Sequence, residues 1–342
     1  MTLNELDDEH STEQDDSPRV LQIFRAAKDE DRPVNVSAPM VRYSKLPFRL
    51  LARENNTDIT FTPMILAHEF VRSQLARDSD FSTSPLERLA TPDGRQHALI
   101  AQFASSEPVE FARAAELIAP WVDGVDLNCG CPQSWAMQEG IGCSLMRDPD
   151  LVASMIRAAR AQLDGSKSVS VKIRIHKDIS ETIKWVKIVQ AAGPTFITVH
   201  GRTRSQRSST PPDYNAIRSI RQYLYVPTLA NGDAYTLSST QQIAEQTGAD
   251  GVMAARGILL NPAMFSGHNT VSIDSVKRML EMCIRHPIPF ALVLHHIMEM
   301  TAALLGKREK RRLGQCGDLL DLIDFVDERW GRGGVGGDGG GG

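Results

Sequence analysis

A chain of 342 residues that is 42% hydrophobic and 23% charged holds enough apolar material for one large α/β barrel or two ordinary domains. No apolar run reaches the length of a membrane span, no secretory leader pattern opens the chain, and five cysteines are too few for a disulfide framework. The formal charge of −4 hides an asymmetry: residues 1–18 carry seven acidic groups and no Lys or Arg, so the remainder is +3 and mildly basic. A reducing compartment is expected, the cytoplasm first and the nucleus second.

The acidic head, residues 1–32, is expected to be disordered, because it has too little apolar material to offset ordering entropy. From Val34 a β/α rhythm begins. Val34–Pro39 is predicted as a strand, followed by a helix over Leu46–Asn56. Ile59–Pro63 is a second strand; the longer segment 64–97 holds one predicted helix, His68–Arg77, and turn chemistry at Pro92-Asp93-Gly94. Ala98–Ala104 is the third strand, and Glu107-Pro108 marks the start of its helix, Pro108–Ile118. Gly124–Asn128 and Asp148–Leu163 form the fourth unit. Ser168–Ile175 with Ile179–Ala192, Phe196–Gly201 with Asp213–Tyr223, Val226–Gly232 with Leu237–Thr247, and the strand Gly251–Gly257 complete the beat. Eight units over residues 33–268 predict an α/β fold, a TIM (β/α)8 barrel rather than an open sheet. Residues 269–330 lose the strand signal and read as a small C-terminal all-helical appendage. The Gly-rich tail, 331–342, is expected to be disordered.

Chemistry in such a barrel sits at the C-terminal strand ends. Asp123 to Pro132 reads as a strand running into a tight loop, with Asn128, Cys129 and Cys131 at its tip. The other ends carry Pro39-Met40, Gln102, Lys172 and Arg174, His200-Gly201-Arg202, Asn231-Gly232-Asp233 and Ala255-Arg256-Gly257. The glycine turns after the seventh and eighth strands, with Arg256, match the phosphate site common in this fold. Lys172 beneath them suits an electron-rich flavin ring. Cys129-x-Cys131 could be half of a metal site, yet no second Cys/His pair has ligand spacing, so no metal is expected. Cys143, Cys283 and Cys316 read as buried hydrophobes, and His295-His296 as structural.

These pieces, taken together, resemble the tRNA-dihydrouridine synthases, flavoenzymes that reduce a uridine of the tRNA D-loop. The resemblance rests on Ala38-Pro39-Met40, Gln102, Asp126-Leu127-Asn128-Cys129-Gly130-Cys131-Pro132, Val171-Lys172-Ile173-Arg174, Thr198 to Thr203, Ala230 to Asp233, and Ala255-Arg256-Gly257, in order over residues 34–265. Cys129-Gly130-Cys131-Pro132-Gln133, with His68-Glu69-Phe70 upstream, is most similar to the eukaryotic type-four branch, which implies uridines 20a and 20b. The resemblance implies FMN as cofactor, held by Pro39, Met40, Val41, Gln102, Lys172, His200, Asn231, Gly232, Asp233, Ala255 and Arg256. It implies NADPH or NADH as reductant, tRNA as partner, and Cys131 as the catalytic acid. Position 255 is alanine where much of the family has glycine, but its backbone N–H remains available. No protein partner and no membrane are indicated.

The implied mechanism follows from the groups. Reduced FMN delivers a hydride from N5 to C6 of uracil, and C5 then needs a proton from the other face. A thiol is mostly protonated at neutral pH, and Cys131, projecting from the loop, suits that role better than Cys129. Asn128 can hydrogen-bond the uracil or flavin edge, and the target uridine must be flipped out of the RNA. Arg174 and Arg202, with Arg204, are the cations at the mouth. Lys310, Arg311 and Arg312, in the densest basic run of the chain, Lys307 to Arg312, are assigned to the tRNA backbone. Two other readings stand beside this one: an FMN barrel acting on a small molecule, and a non-catalytic RNA-binding protein on a dead barrel. The intact Lys172, His200 and Cys131 argue against the second.

Overall fold

The computed structural model describes residues 17–91 and 94–331. Nine strands are present among them: β1 (Val34–Ser37), β2 (Ile59–Phe61), β3 (Ile65–Leu66), β4 (Ala98–Ala104), β5 (Gly124–Cys129), β6 (Ser168–Arg174), β7 (Phe196–His200), β8 (Thr228–Asn231) and β9 (Gly251–Ala254). All pair in parallel. β1 bonds both β2 and β9, and β2 bonds β4, so eight strands close into the expected TIM barrel. The two-residue β3 lies outside the count and extends the pairing along the end of β4.

Strand alternation sorts the side chains into two shells. Leu99, Phe103, Val125, Leu127, Cys129, Val169, Val171, Ile173, Ile197 and Val199 point outward into the layer of helices. The inward set is apolar low in the barrel, with Val34, Val36, Ile59, Phe61, Ile100, Phe196, Leu229 and Met253 in one buried cluster. Toward the C-terminal ends it turns polar: Gln102, Asp126, Asn128, Lys172, His200 and Asn231.

The floor of the barrel differs from the sequence expectation. Arg19–Asp29 is a helix, not disordered chain. Its residues Val20, Ile23, Phe24 and Ala27, spaced along one helical face, are buried in the lumen cluster, with Phe24 against Phe196 at a centroid distance of 5.9 Å. Burying four apolar groups and closing the open end of the barrel outweighs the ordering entropy. Residues 1–16 of the predicted disordered head, and 332–342 of the predicted disordered tail, lie outside the described residues.

Between β3 and β4 the single predicted helix is two, Ala67–Arg72 and Gln74–Asp80. Ser73 breaks the run with extended backbone and caps the second helix by accepting the Ala76 N–H at 3.2 Å. The predicted Pro92-Asp93-Gly94 turn lies outside the described residues except for Gly94. Four helices follow the barrel: Ile273–Arg285, Phe290–Met300, Lys307–Leu313 and Leu319–Trp330. They dock beside the helix Leu46–Glu54 through Leu46, Leu50 and Met282 and through a two-pronged Arg278–Glu54 pair at 2.7 and 3.0 Å. His296 seals the joint. It is buried, stacks on Phe48 at 5.1 Å, and donates from Nε2 to the Tyr43 carbonyl at 3.1 Å. The docking keeps the appendage next to the barrel mouth, since Tyr43 lies on the loop after β1.

Candidate active site

Register places the polar residues in one ring. Gln102 pairs with Asp126, Asn128 with Lys172, Arg174 with His200, and His200 with Asn231, so each pair faces the same side of the sheet. Asp126 and Asn128 are two apart on β5 and therefore both face the lumen, whereas Cys129 faces outward.

The cysteine loop is held from two directions. Asn128 Oδ1 accepts the backbone N–H groups of Gly130 at 3.1 Å and Cys131 at 2.9 Å. The Cys131 carbonyl accepts the Cys143 N–H at 2.9 Å. Gly142 sits so close that a Cβ there would meet the Cys131 carbonyl oxygen at 2.7 Å, and its φ of +63° also calls for glycine. Cys131 is thereby left half-buried at the loop tip, against the small cluster of Ala104, Ala136 and Ile141. Cys129 is fully buried in the outer core, and burial pushes its thiol well above the ordinary range. Burial likewise raises Cys143 to about 11.

From β6 round to β9 the ring is cationic. Lys172 makes no hydrogen bond among the described residues, and burial, with Arg174 beside it, lowers its ammonium to about 8. Arg174 donates to the Gly130 carbonyl and to the Thr203 carbonyl, both at 3.0 Å, tying the cysteine loop to the loop after β7. Burial and the cations Lys172, Arg174, Arg202 and Arg256 depress the basicity of His200 far below its usual value, so its ring is neutral. A guanidinium can only donate, so the Arg202 contact at 3.3 Å makes His200 Nε2 an acceptor and puts the ring proton on Nδ1.

Asp233 accepts from both Arg202 and Arg256. It holds a positive φ of 41°, which a short polar side chain tolerates. Gly232 beside it, at φ +150°, would drive a Cβ to 2.7 Å from Pro212, and a Cβ on Gly257 would lie 2.0 Å from the Ala234 carbonyl oxygen. Gly257 lets the turns after β8 and β9 touch, and Gly232 lets the turn after β8 meet the segment that follows β7. Between these turns and the loop 203–208 opens a cleft of about 770 Å³, lined by Arg174, His200, Arg204, Arg207, Asn231 and Arg256 among others.

The flavin mononucleotide implied by the resemblance fits this chemistry. The glycine turns bring backbone and the half-exposed Arg256 to one edge of the cleft, as a phosphate requires. Deeper in the ring, the unpartnered ammonium of Lys172 and the buried hydroxyl of Thr198, which has no partner, await a polar ring edge. The volume is that of an ordinary ligand site. Pro39 and Met40 are half-buried and Val41 is exposed on the loop after β1, the strand next to β9. Ala255 caps the short helix Arg256–Leu260 that begins at the cleft.

Three of the expected substrate contacts are engaged within the protein. Arg202 is buried, donates to the Thr210 carbonyl at 2.6 Å, and is paired with Asp233, so it braces the site. Asn128 is buried, its amide bonded to Gln102 and the cysteine loop. Arg312 is paired with Glu328 and lies over the Phe325 ring. Lys310 and Arg311 are exposed on the appendage. The sequence reading missed Asp126, Ser170 and Thr198 as ring members. Their signal was polar residues at two-residue spacing inside otherwise apolar strands.

The chain matches the family model described as dihydrouridine synthase (Dus) over residues 36–315. It is 43% identical over 290 residues to a protein of Schizosaccharomyces pombe named tRNA-dihydrouridine(20a/20b) synthase [NAD(P)+], covering 85% of this chain and 86% of the relative. It is 40% identical over 279 residues to a human protein named as the same synthase-like, covering 81% and 85%. Among solved structures, histamine dehydrogenase from Rhizobium sp. 4-9 superposes with a TM-score of 0.51 at 13% identity, over 78% of this chain and 49% of that one, a likeness of fold alone.

Proposed function

The chain belongs to the dihydrouridine synthase family, and from that premise we propose that it reduces D-loop uridines of tRNA at positions 20a and 20b, with FMN as cofactor and NADPH or NADH as reductant. The observation that carries the proposal is the ring itself: a half-buried thiol fixed at one side of the mouth, a cationic glycine-turn cleft at the other, and Lys172 between them. The names of the relatives support the substrate and the positions.

Bound FMN supplies the hydride for C6 of uracil. The protein residues do the rest. Arg256 and the turns after β8 and β9 hold the phosphate. Lys172 sets a positive charge beside the ring system, which favours its electron-rich form. Neutral His200 keeps a donor at Nδ1 and adds no further cation. Cys131 holds the proton that C5 takes up, on a loop fixed by Asn128 and Cys143, and uracil reaches it only when flipped out of the RNA. Lys310 and Arg311 draw the tRNA backbone toward the mouth.

The test is direct. FMN-loaded protein, given NADPH and an unmodified tRNA transcript, should form dihydrouridine at 20a and 20b by mass spectrometry. Flavin reduction without dihydrouridine in any tRNA would sink the proposal, and product at other D-loop positions would correct the site.

A further inference from the structure

The most deeply buried ionisable group of the ring takes no part in the scheme above. We propose that Asp126 is a positioning residue for Cys131, acting through a hydrogen-bond relay, Asp126–Gln102–Asn128, that ends on the cysteine loop. The inference rests on the reading of Cys131 as proton donor.

The relay has a direction because its first member has one. An ionised carboxylate only accepts. Asp126 Oδ1 takes the Ser170 hydroxyl at 2.7 Å, and Oδ2 takes Gln102 Nε2 at 2.8 Å. The Gln102 amide is thereby oriented, and its Oε1 faces Asn128 Nδ2 at 2.7 Å. Asn128 is oriented in turn, and its Oδ1 faces the N–H groups of Gly130 and Cys131. Reversing either amide would set donor against donor or acceptor against acceptor in a buried site, which costs the desolvation of each group left unpaired. The Gln102 backbone N–H, bonded to Thr62 Oγ1 at 3.1 Å, fixes the middle link further. Burial raises the Asp126 carboxyl to about 6 against the pull of Ser170, Gln102 and Lys172, so the ionised, orienting form prevails at neutral pH.

Two substitutions separate orientation from charge. Asp126→Asn loses the charge but keeps an oxygen for Gln102 and offers its amide to Ser170, so the relay direction survives. Asp126→Leu removes the acceptor. The readouts on full-length, FMN-loaded protein are the alkylation rate of Cys131 by iodoacetamide, followed by peptide mass spectrometry, and the reoxidation of pre-reduced enzyme by tRNA. Asp126→Asn should alkylate within about twofold of wild type, while Asp126→Leu shifts the rate by about tenfold as the loop loses its anchor. Reoxidation should slow about tenfold or more in Asp126→Leu through kcat, with KM for tRNA and reduction by NADPH unchanged. Wild-type alkylation in Asp126→Leu overturns the proposal. So does equal impairment of both variants, which would make the charge near Lys172 the cause. Should Asp126→Leu fail to fold, Gln102→Met breaks the middle link and must give the same shift in alkylation. Failure of the underlying reading is distinguishable: Cys131→Ala would then form dihydrouridine at a normal rate, whatever the alkylation data show.

Discussion

Asp233 and Arg256 form an ion pair across the turns that follow β8 and β9. The second oxygen of Asp233 takes Arg202, and the Arg256 guanidinium lies 5.5 Å from the Tyr235 ring centroid. A phosphate arriving here meets a guanidinium already aimed, which lowers the cost of ordering it on binding. Arg256→Ala is expected to weaken FMN binding about tenfold or more and to yield pale protein, the scale of a lost charge-assisted hydrogen bond. Arg256→Lys should recover only part of the loss. Flavin titration by fluorescence measures both, and full occupancy in Arg256→Ala would exclude this phosphate site.

The two loop thiols should part company. Cys131→Ala is expected to retain FMN and its reduction by NADPH but to lose dihydrouridine formation by roughly two orders of magnitude or more. Cys129 packs outward, so Cys129→Ala should leave turnover near normal and appear as a lower thermal midpoint. Measuring turnover and melting for both variants decides the matter, and a reversed pattern would refute the assignment.

Lys310 and Arg311 are exposed and carry no ion pair among the described residues, whereas Arg312 is engaged by Glu328. Replacing Lys310 and Arg311 by Ala should weaken tRNA binding and flatten the dependence of log affinity on log salt by roughly one and a half to two units. Arg312→Ala should change the slope less. Filter binding at several salt concentrations reads these slopes; equal slopes in all variants would mean the helix Lys307–Leu313 does not meet the RNA.

Acid should loosen the appendage. Burial lowers His296 to about 4, below its ordinary 6.5, so the unfolded chain takes up this proton before the folded one does. The stability concerned is whole above pH 6.5 and is lost as pH falls toward 4, up to about 3 kcal/mol. Nδ1 of His296 is buried without a partner, which is why the charged ring is not accommodated. Denaturant midpoints between pH 7 and pH 5 should fall for wild type and fall less for His296→Phe, which keeps the stack on Phe48.

The barrel could be read from the sequence because its strands are buried on both faces and stand out as short apolar runs between helical segments. The ring could be read because its members sit at the ends of those runs. What escaped were partners distant in the chain. Nothing near Arg202 announces Asp233, and nothing near Arg312 announces Glu328, so both cations looked free. Arg49, in the helix Leu46–Glu54, is fully buried in a two-pronged pair at 2.6 and 2.9 Å with Glu87, a partner 38 residues away in the chain. The helix Arg19–Asp29 was hidden by its acidic neighbours, although Val20, Ile23, Phe24 and Ala27 have the spacing of a buried helical face.

That helix also imposes an order of assembly. It is made before the strands that receive it, and its seat is built from strands far apart in the chain, from Val34 and Val36 to Phe196, Leu229 and Met253. Its apolar face therefore stays without a seat until β9 has left the ribosome, and its docking belongs to the last steps of folding. Such long-range closure is slow. During that wait Phe24 and Ile23 are exposed, and the seven acidic groups of residues 1–18 give the neighbouring segment a charge that opposes association with its like.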